Sequence, residues 1–221
     1  MTDQPRTRAS YDRVASEYTQ RIADELEFKP LDRALLDRLA QRVGELTGNS
    51  KTGVIGDLGC GPGHVGRYLH VLGMDVVGVD LSAGQLQQAR RLNPGIGFLQ
   101  ADLRALGVAD NSWSGIAAFY SIIHIPRTEV IAVLHELRRV LRPGGWLLLA
   151  FHVGDEVVHL AEWWGLPVDL DFTLFRVAEM EDYLRAAGFV VVETIERPPY
   201  SDVEHPSQRA YIFARKAVTG R

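Results

Sequence analysis

The chain has 221 residues, of which 46% are hydrophobic and 24% are charged, and its formal net charge is -4. This composition is typical of a globular protein and excludes a largely disordered chain. The acidic balance argues against a nucleic-acid partner or an acidic membrane surface. The single cysteine, Cys60, excludes an internal disulfide. We therefore expect one globular domain over residues 1–221.

Residues 1–27 carry charges throughout and contain no apolar core, so they do not resemble a signal peptide. No window approaches the ~18 consecutive apolar residues that a membrane-spanning helix needs. Together with the single cysteine, these features predict a cytoplasmic protein with no membrane partner. We expect it to be a monomer or a homodimer.

Helices are predicted first along the chain. Apolar and aromatic residues recur at helical spacing over 9–27 and again over 31–43, and Pro30 separates the two runs. A glycine-containing loop is predicted at 48–50. Residues 1–50 are thus expected to form an N-terminal helical segment.

From Gly53 the pattern changes, and short apolar strands alternate with helices. The predicted strands are 54–58, 76–79, 97–100, 116–119 and 146–151, and the predicted helices are 64–72, 82–92 and 128–141. This alternation favours βαβ units on a parallel sheet with helices on both faces. Residues 53–152 are therefore expected to form the core of a doubly wound α/β sheet.

The end of the chain differs from the core. A helix over 179–187 is stopped by Gly188, and two strands, 189–195 and 210–214, follow with no helix between them. Such strands are expected to pair antiparallel. The stretch 153–178 is interpreted as an irregular insertion over one end of the sheet, and 179–216 as the last helix and C-terminal strands.

Three acids stand at the ends of three successive predicted strands: Asp57, Asp80 and Asp102. Ligands of open α/β sheets bind at this edge, and an acid after the second strand can accept from ribose hydroxyls. An acid after the third strand can meet an adenine amine. Each aspartate is alternatively a helix cap or a turn former.

The segments that surround these acids are DLGCGPG at 57–63, VDLS at 79–82, ADL at 101–103 and LRPGG at 141–145. In this order they resemble the class I S-adenosylmethionine-dependent methyltransferases over about 53–213. Within that family the chain is similar to small methyltransferases that act on metabolites, with a helical lid of the form YDRVASEY at 11–18. The resemblance implies a single Rossmann-like sheet, mostly parallel with an antiparallel last strand. It also implies S-adenosyl-L-methionine as cofactor and S-adenosyl-L-homocysteine as product.

The same resemblance implies roles for individual residues in holding the cofactor. The methionine part would meet Gly59, Gly61 and Asp57, the ribose would meet Asp80, and the adenine would meet Leu81, Asp102 and Leu103. Tyr120, after the fourth strand, would lie near the methyl group. If the first helix is a lid, the residues that cover the cofactor would be Tyr11 and Tyr18, with Arg21 reaching its carboxylate. Arg21 is alternatively a surface arginine.

His124 is the first candidate for a general base, and Tyr120 is the second catalytic candidate. His124 follows the fourth strand at the cofactor edge, and an imidazole can take a proton near neutral pH. Its alternative role is to cap the next helix or to pack beside Pro126. His152, Trp163 and Trp164 are predicted to contact the methyl acceptor, although the tryptophans are alternatively core packing.

No metal site is predicted, because the spacing of His152, Asp155, Glu156 and His159 fits no known metal motif. The acceptor is expected to be a small molecule methylated on oxygen, nitrogen or carbon. The fourth strand ends FYSI, unlike the signature of enzymes that methylate nucleobase amines.

Three other functions are weighed. The segment GPGHVG at 61–66 also satisfies the dinucleotide pattern, which suggests a nicotinamide-dependent reductase, but no tyrosine has a lysine four residues later. The same fold and cofactor can serve a cyclisation or cleavage without methyl transfer. A cofactor-binding module without catalysis is the third.

Overall fold

The computed structural model describes residues 4–48, 53–201 and 203–218 of the chain. Two helices precede the sheet, α1 over Gln4–Ile22 and α2 over Pro30–Thr47, and a short 3-10 turn at Glu25–Phe28 separates them. Pro30 is the first residue of α2, where its missing N–H costs no hydrogen bond. Of the loop predicted at 48–50, only Gly48 lies within the described residues.

The predicted alternation of strands and helices follows. Its elements are β1 (Val54–Leu58), α3 (His64–Val71), β2 (Asp75–Asp80), α4 (Ala83–Leu92), β3 (Gly97–Gln100), β4 (Trp113–Phe119), α5 (Arg127–Val140) and β5 (Leu141–His152). Ser82 caps α4 as its position suggests, because its hydroxyl accepts from the Gln85 amide at 3.0 Å. The chain ends with α6 (Val177–Ala186), β8 (Phe189–Arg197) and β9 (Arg209–Lys216).

The seven strands form one sheet in the order β3-β2-β1-β4-β5-β9-β8. The pairs among the first five strands in this order are parallel, whereas β9 runs antiparallel to both β5 and β8. The predicted α/β class, with a mostly parallel sheet and an antiparallel last strand, is confirmed. The division into lid, core, insertion and C-terminal segments stays a prediction.

Both faces of the sheet are covered because alternate residues of the central strands are apolar on each side. Ile116, Ala118 and Leu147 pack with α5 and α6, while Ala117 and Leu148 pack with α2 and α3. This is the pattern of a parallel sheet buried on both faces. Among the described helices, none combines the length and the apolar character that crossing a bilayer requires.

The stretch expected to be irregular is instead a β-hairpin, and this part of the prediction is wrong. Strands β6 (Val157–Trp163) and β7 (Leu166–Thr173) pair antiparallel as a separate two-stranded sheet. The turn between them is closed by Trp164, with a left-handed φ of 54°, and Gly165. A tryptophan in that conformation is uncommon, so the turn gives no ordinary hairpin signal in the sequence.

Helix α1 lies between this hairpin and the N-terminus of α4. The Asp12 carboxylate accepts from the Ser82 hydroxyl at 2.6 Å and from the Gly84 amide at 2.8 Å. On its other side, the Arg6 guanidinium contacts Asp169 at 2.8 Å and Asp171 at 2.6 Å, both in β7. The helix and the hairpin are thereby joined over one edge of the sheet.

Candidate active site

A glycine loop, residues 59–63, connects β1 to α3 and forms one wall of a cleft at the carboxyl edge of the sheet. Gly59 and Gly61 have left-handed φ angles of 68° and 52°. A Cβ on Gly59 would lie 2.4 Å from the Cβ of Ser121, which is too close for any side chain. The Gly59 amide donates to the Val79 carbonyl at 2.8 Å, which ties the loop to β2. The shape of the loop therefore depends on glycine at position 59.

Two carboxylates, one buried and one partly buried, lie beside the loop and are held by backbone amides. Asp57 accepts from the Gly66 amide at 2.8 Å. Asp80 accepts from the Gly61 amide and the Ser82 amide, each at 2.8 Å. Burial raises the pKa of both carboxyls to about 6. Both groups are thus fixed in place and are largely ionised at neutral pH.

The third acid, Asp102, begins the turn after β3. Its Oδ1 accepts from the Arg104 amide at 2.8 Å, and its Oδ2 lies 3.4 Å from the Arg104 guanidinium. Arg104 also contacts Glu129. Leu81 and Leu103 line the cleft beside this acid. The turn-forming role and a ligand-binding role of Asp102 are therefore compatible.

The cleft has an empty volume of about 1030 Å³, counting the part open to solvent. Most of the predicted site residues line it: Tyr11, Tyr18, Asp57, Gly59, Gly61, Asp80, Leu81, Asp102, Leu103, Tyr120 and His124. The strand order β3-β2-β1-β4 places the acids and the loop in one row. Tyr120 and His124, which follow β4, stand at the end of that row.

His124 is partly buried at this end, where it is held by residues of α1 and β7. Its Nδ1 lies 3.1 Å from the Asp171 carbonyl and its Nε2 lies 2.7 Å from the Tyr11 hydroxyl. A carbonyl can only accept, so Nδ1 carries the hydrogen and Nε2 accepts from Tyr11. Burial lowers the pKa of His124 to about 4. The imidazole is therefore neutral at physiological pH, and Tyr11 occupies its basic nitrogen.

Tyr120 adopts a left-handed backbone, with φ of 53°, and its amide donates to the Ala150 carbonyl at 2.9 Å. Its hydroxyl lies 3.1 Å from that of Tyr211, which donates to Asp32 at 2.7 Å and accepts from Arg197 at 3.0 Å. Since the only hydroxyl hydrogen of Tyr211 goes to Asp32, Tyr120 is the donor to Tyr211. Burial raises the pKa of Tyr120. The phenol therefore stays protonated and presents oxygen lone pairs.

Four predicted residues are not among those that line the cleft. The Arg21 guanidinium contacts Glu17 at 2.6 Å and lies 4.9 Å from the ring centre of Trp164. Trp163 and Trp164 stack with ring centres 4.6 Å apart, and both pack on Tyr18. The tryptophans thus stand behind the tyrosine that faces the cleft.

His152 lies behind Tyr120, with the two ring centres 4.9 Å apart, and its Nδ1 is 2.8 Å from the Ser207 hydroxyl. Burial, together with the charge of Arg209, lowers the pKa of His152 to about 3. The acceptor-binding role predicted for His152 and the two tryptophans stays a prediction.

Among the lining residues that the sequence analysis did not assign to the site, two form a hydrogen-bonded pair. Glu25, from the 3-10 turn, and His64, the first residue of α3, lie 3.0 Å apart and line the cleft beside the glycine loop. The position of His64 directly after the loop was a signal that could have been used. The sequence contains no comparable signal for Glu25, because it reaches the cleft only through the tertiary packing that places α1 and the following turn over the sheet edge.

Comparisons with known proteins bear directly on this cleft. Residues 55–145, which hold the loop and all three acids, match the family model of a methyltransferase domain. A malonyl-[acyl-carrier protein] O-methyltransferase of Enterobacter lignolyticus is 32% identical over 166 residues. The chain belongs to the class I methyltransferases that use S-adenosylmethionine. The predicted family is thus confirmed.

Solved structures share the methyltransferase fold. A SAM-dependent methyltransferase from Methanosarcina mazei has a TM-score of 0.69 and 16% identity, over 76% of this chain and 94% of that chain. The 1,6-didemethyltoxoflavin-N1-methyltransferase of Burkholderia thailandensis, solved with S-adenosylhomocysteine and its substrate, has a TM-score of 0.63 and 20% identity, over 92% and 87%. At these identities the likeness shows the fold alone.

The match to the Enterobacter methyltransferase covers 73% of this chain and 59% of that protein. Matches to other curated relatives cover about half of their length. What those proteins act on is therefore carried to this methyltransferase only as a proposal.

The residues present fit S-adenosylmethionine. The glycine loop leaves room that a Cβ on Gly59 would remove. Two buried polar atoms of the lining, Ser121 Oγ and His64 Nδ1, have no hydrogen-bond partner within the described part of the protein. Buried polar atoms are normally paired, so these two indicate a place for a polar ligand. The two ionised carboxylates, Asp57 and Asp80, suit an ammonium group and a ribose.

Proposed function

We propose that this methyltransferase transfers the methyl group of S-adenosylmethionine to oxygen, nitrogen or carbon of a small-molecule acceptor. The observation that carries the proposal is the single cleft in which the glycine loop and three acids meet Tyr120 and His124. The donor-binding residues occupy the β3-β2-β1 part of the edge. The residues after β4 face the position that the reacting groups would take.

The donor supplies a methyl group activated by a positively charged sulfur. The main task of the chain is to align an acceptor with that methyl group and to exclude water, and orientation alone can be worth about 7–11 kcal/mol. Helix α1 serves this task by covering the cleft with Tyr11 and Tyr18. Behind them, the stacked tryptophans keep the lid apolar.

We propose that the Tyr11–His124 pair removes the proton that the acceptor loses on methylation. When the acceptor loses its proton to the protein, the Tyr11 oxygen would take that proton while the Tyr11 hydroxyl gives its own hydrogen to Nε2 of His124, 2.7 Å away. With a pKa of about 4, His124 is a weak base. It therefore suits an acceptor whose proton becomes strongly acidic as the new bond forms. Tyr120, whose hydrogen goes to Tyr211, offers a lone pair that can orient the N–H or O–H of the acceptor.

The first test is calorimetric titration with S-adenosylmethionine, S-adenosylhomocysteine and NADPH. We expect binding of the two adenosyl ligands and no binding of NADPH, and the opposite pattern would overturn the proposal. The second test supplies methyl-labelled donor with a metabolite extract. Label in a new small molecule supports methyl transfer, whereas a cyclised or cleaved donor without labelled acceptor would assign the other chemistry.

A cytoplasmic location, a monomeric or homodimeric state and the lack of a nucleic-acid partner are proposals that rest on the sequence. Size-exclusion chromatography with light scattering measures the mass of the particle directly. A mass other than that of one or two chains would contradict the proposed state.

A further inference from the structure

A largely buried pair of a histidine and a glutamate stands beside the glycine loop. His64 Nε2 lies 3.0 Å from Glu25 Oε1, and the side chains are only 11% and 17% exposed. On the proposed function, the donor's adenine lies at β3 and its ribose at β2. The amino-acid end of the donor must then run over the loop after β1, where α3 begins with His64.

The hydrogen-bonding state of the His64 ring follows from its partner. Burial raises the pKa of Glu25, but the hydrogen bond with His64 and the Lys29 ammonium, 2.6 Å from Oε2, bring it down to about 2. An ionised carboxylate can only accept, so Nε2 carries a hydrogen. The other nitrogen, Nδ1, is buried and has no partner in the described structure. That atom is available to a ligand in the cleft.

Three of the described residues that line the cleft can carry a positive charge: Arg104, His124 and His64. Arg104 stands at the adenine end, where it contacts Asp102 and Glu129. Burial keeps His124 neutral, because its pKa is lowered to about 4. His64 is therefore the lining residue that can offer a charged donor at the loop end.

The charges beside the loop also match the two ends of an amino acid. His64 opposes the effect of burial on the pKa of Asp57, so the two side chains lie within electrostatic reach of each other. The amino-acid part of the donor carries an ammonium and a carboxylate. Asp57 suits the ammonium, and a protonated His64 suits the carboxylate.

We infer that His64, oriented by Glu25, binds the carboxylate of S-adenosylmethionine through Nδ1 as an imidazolium. This inference rests on the proposed function. It replaces the sequence-based assignment of that role to Arg21, whose guanidinium contacts Glu17 instead.

The test compares two donors that differ only in the carboxylate, S-adenosylmethionine and its decarboxylated analogue, each titrated into the wild type and variants. In His64→Ala we expect about ten- to hundredfold weaker binding of S-adenosylmethionine, the range for a hydrogen bond to a charged group. Binding of the decarboxylated analogue should change less than about threefold. Glu25→Gln should shift the ratio of the two donor affinities in the same direction by a smaller factor, because it leaves the His64 ring in place but removes its ionised partner.

Two controls accompany these variants. His70→Ala removes an exposed histidine from the same helix and should leave both affinities unchanged. Arg21→Ala should also preserve the ratio of the two affinities. If His64→Ala fails to fold, as judged by circular dichroism, His64→Gln keeps a neutral N–H donor and should lose part of the preference for the carboxylate.

The inference is overturned if His64→Ala weakens both donors equally, if it weakens neither, or if Arg21→Ala selectively weakens S-adenosylmethionine. A wild type that binds neither donor would overturn the proposed function itself. The two failures are therefore distinguishable in one set of titrations.

Discussion

The two halves of the cleft are built in different ways. In the donor half, backbone amides in or next to the glycine loop and after β2 hold Asp57 and Asp80, and each contact lies within one βα turn or joins two neighbouring ones. In the acceptor half, side chains from distant elements hold each other, as Tyr11 of α1 holds His124, 113 residues away. The donor half is thus fixed by local structure, while the acceptor half depends on how α1 and the hairpin pack over the sheet edge.

This difference explains what the sequence could and could not predict. The loop and the acids at strand ends form contiguous motifs, so their place at one sheet edge follows from the βα alternation. The Tyr11–His124 and Glu25–His64 contacts follow only from tertiary packing, which places α1 across that edge. The β6–β7 hairpin was missed because its turn uses a tryptophan where a sequence pattern expects glycine or asparagine.

We expect the largest loss of donor binding from a substitution at Gly59. Gly59→Ala forces a left-handed backbone on alanine and sets a Cβ 2.4 Å from Ser121. We expect at least a hundredfold loss of donor affinity in calorimetric titration. Gly97→Ala is the matched control, since its Cβ would meet nothing within 4 Å. A Gly59→Ala protein with donor affinity close to wild type would show that the loop can relax.

Substitutions in the acceptor half should lower the rate of turnover without weakening donor binding. His124→Ala is expected to lower turnover by about 10²–10⁴-fold and to leave donor affinity within about threefold of wild type. Tyr11→Phe combined with His124→Ala should cost little more than His124→Ala alone, because the two residues act as one unit. The exposed His135 gives a control in His135→Ala.

At saturating donor, the turnover of the wild type should also be flat between pH 8 and pH 5. The pKa of His124 is lowered to about 4, so the neutral ring persists until the pH approaches that value. Additive losses in the double variant, or a wild-type rate that falls near pH 6.5, would argue against the Tyr11–His124 pair.

In the donor half, Asp80→Ala leaves the ribose without its charged acceptor. We expect about ten- to hundredfold weaker donor binding, from the roughly 1.5–3 kcal/mol of a hydrogen bond to a charged group. Asp75→Ala, at the exposed start of the same strand, is the matched control. Equal affinities for wild type and Asp80→Ala would remove the ribose assignment.

The same half should respond to acid while the acceptor half does not. Burial raises the pKa of Asp57 and Asp80 to about 6, so both carboxyls take up protons as the pH falls below that value. In His64→Ala, which has no imidazole at the site, donor affinity should therefore weaken from pH 7 to pH 5, by up to about tenfold per pH unit for each carboxylate that must be ionised. Titrations across this range test the prediction, and an affinity that rises toward pH 5 would contradict it.

The smallest effect is expected at Asp102. Asp102→Asn keeps one oxygen that can accept from the adenine amine, whereas Asp102→Ala removes both, so alanine should weaken donor binding more than asparagine. Titration of both variants gives the order. The reverse order, or no effect, would leave Asp102 only its contacts with the amide and the guanidinium of Arg104.

Strand β9 follows β8 in the chain but lies between β5 and β8 in the sheet. While the ribosome is still making the chain, β8 has no strand to pair with and the edge of β5 stays open. Tyr211, the support of Tyr120, belongs to β9, so the donor half can assemble before the acceptor half has its last side chain. Nascent chains stopped before residue 209 would thus expose a sheet edge whose unpaired backbone groups promote aggregation. They would depend on prompt completion of synthesis or on chaperones.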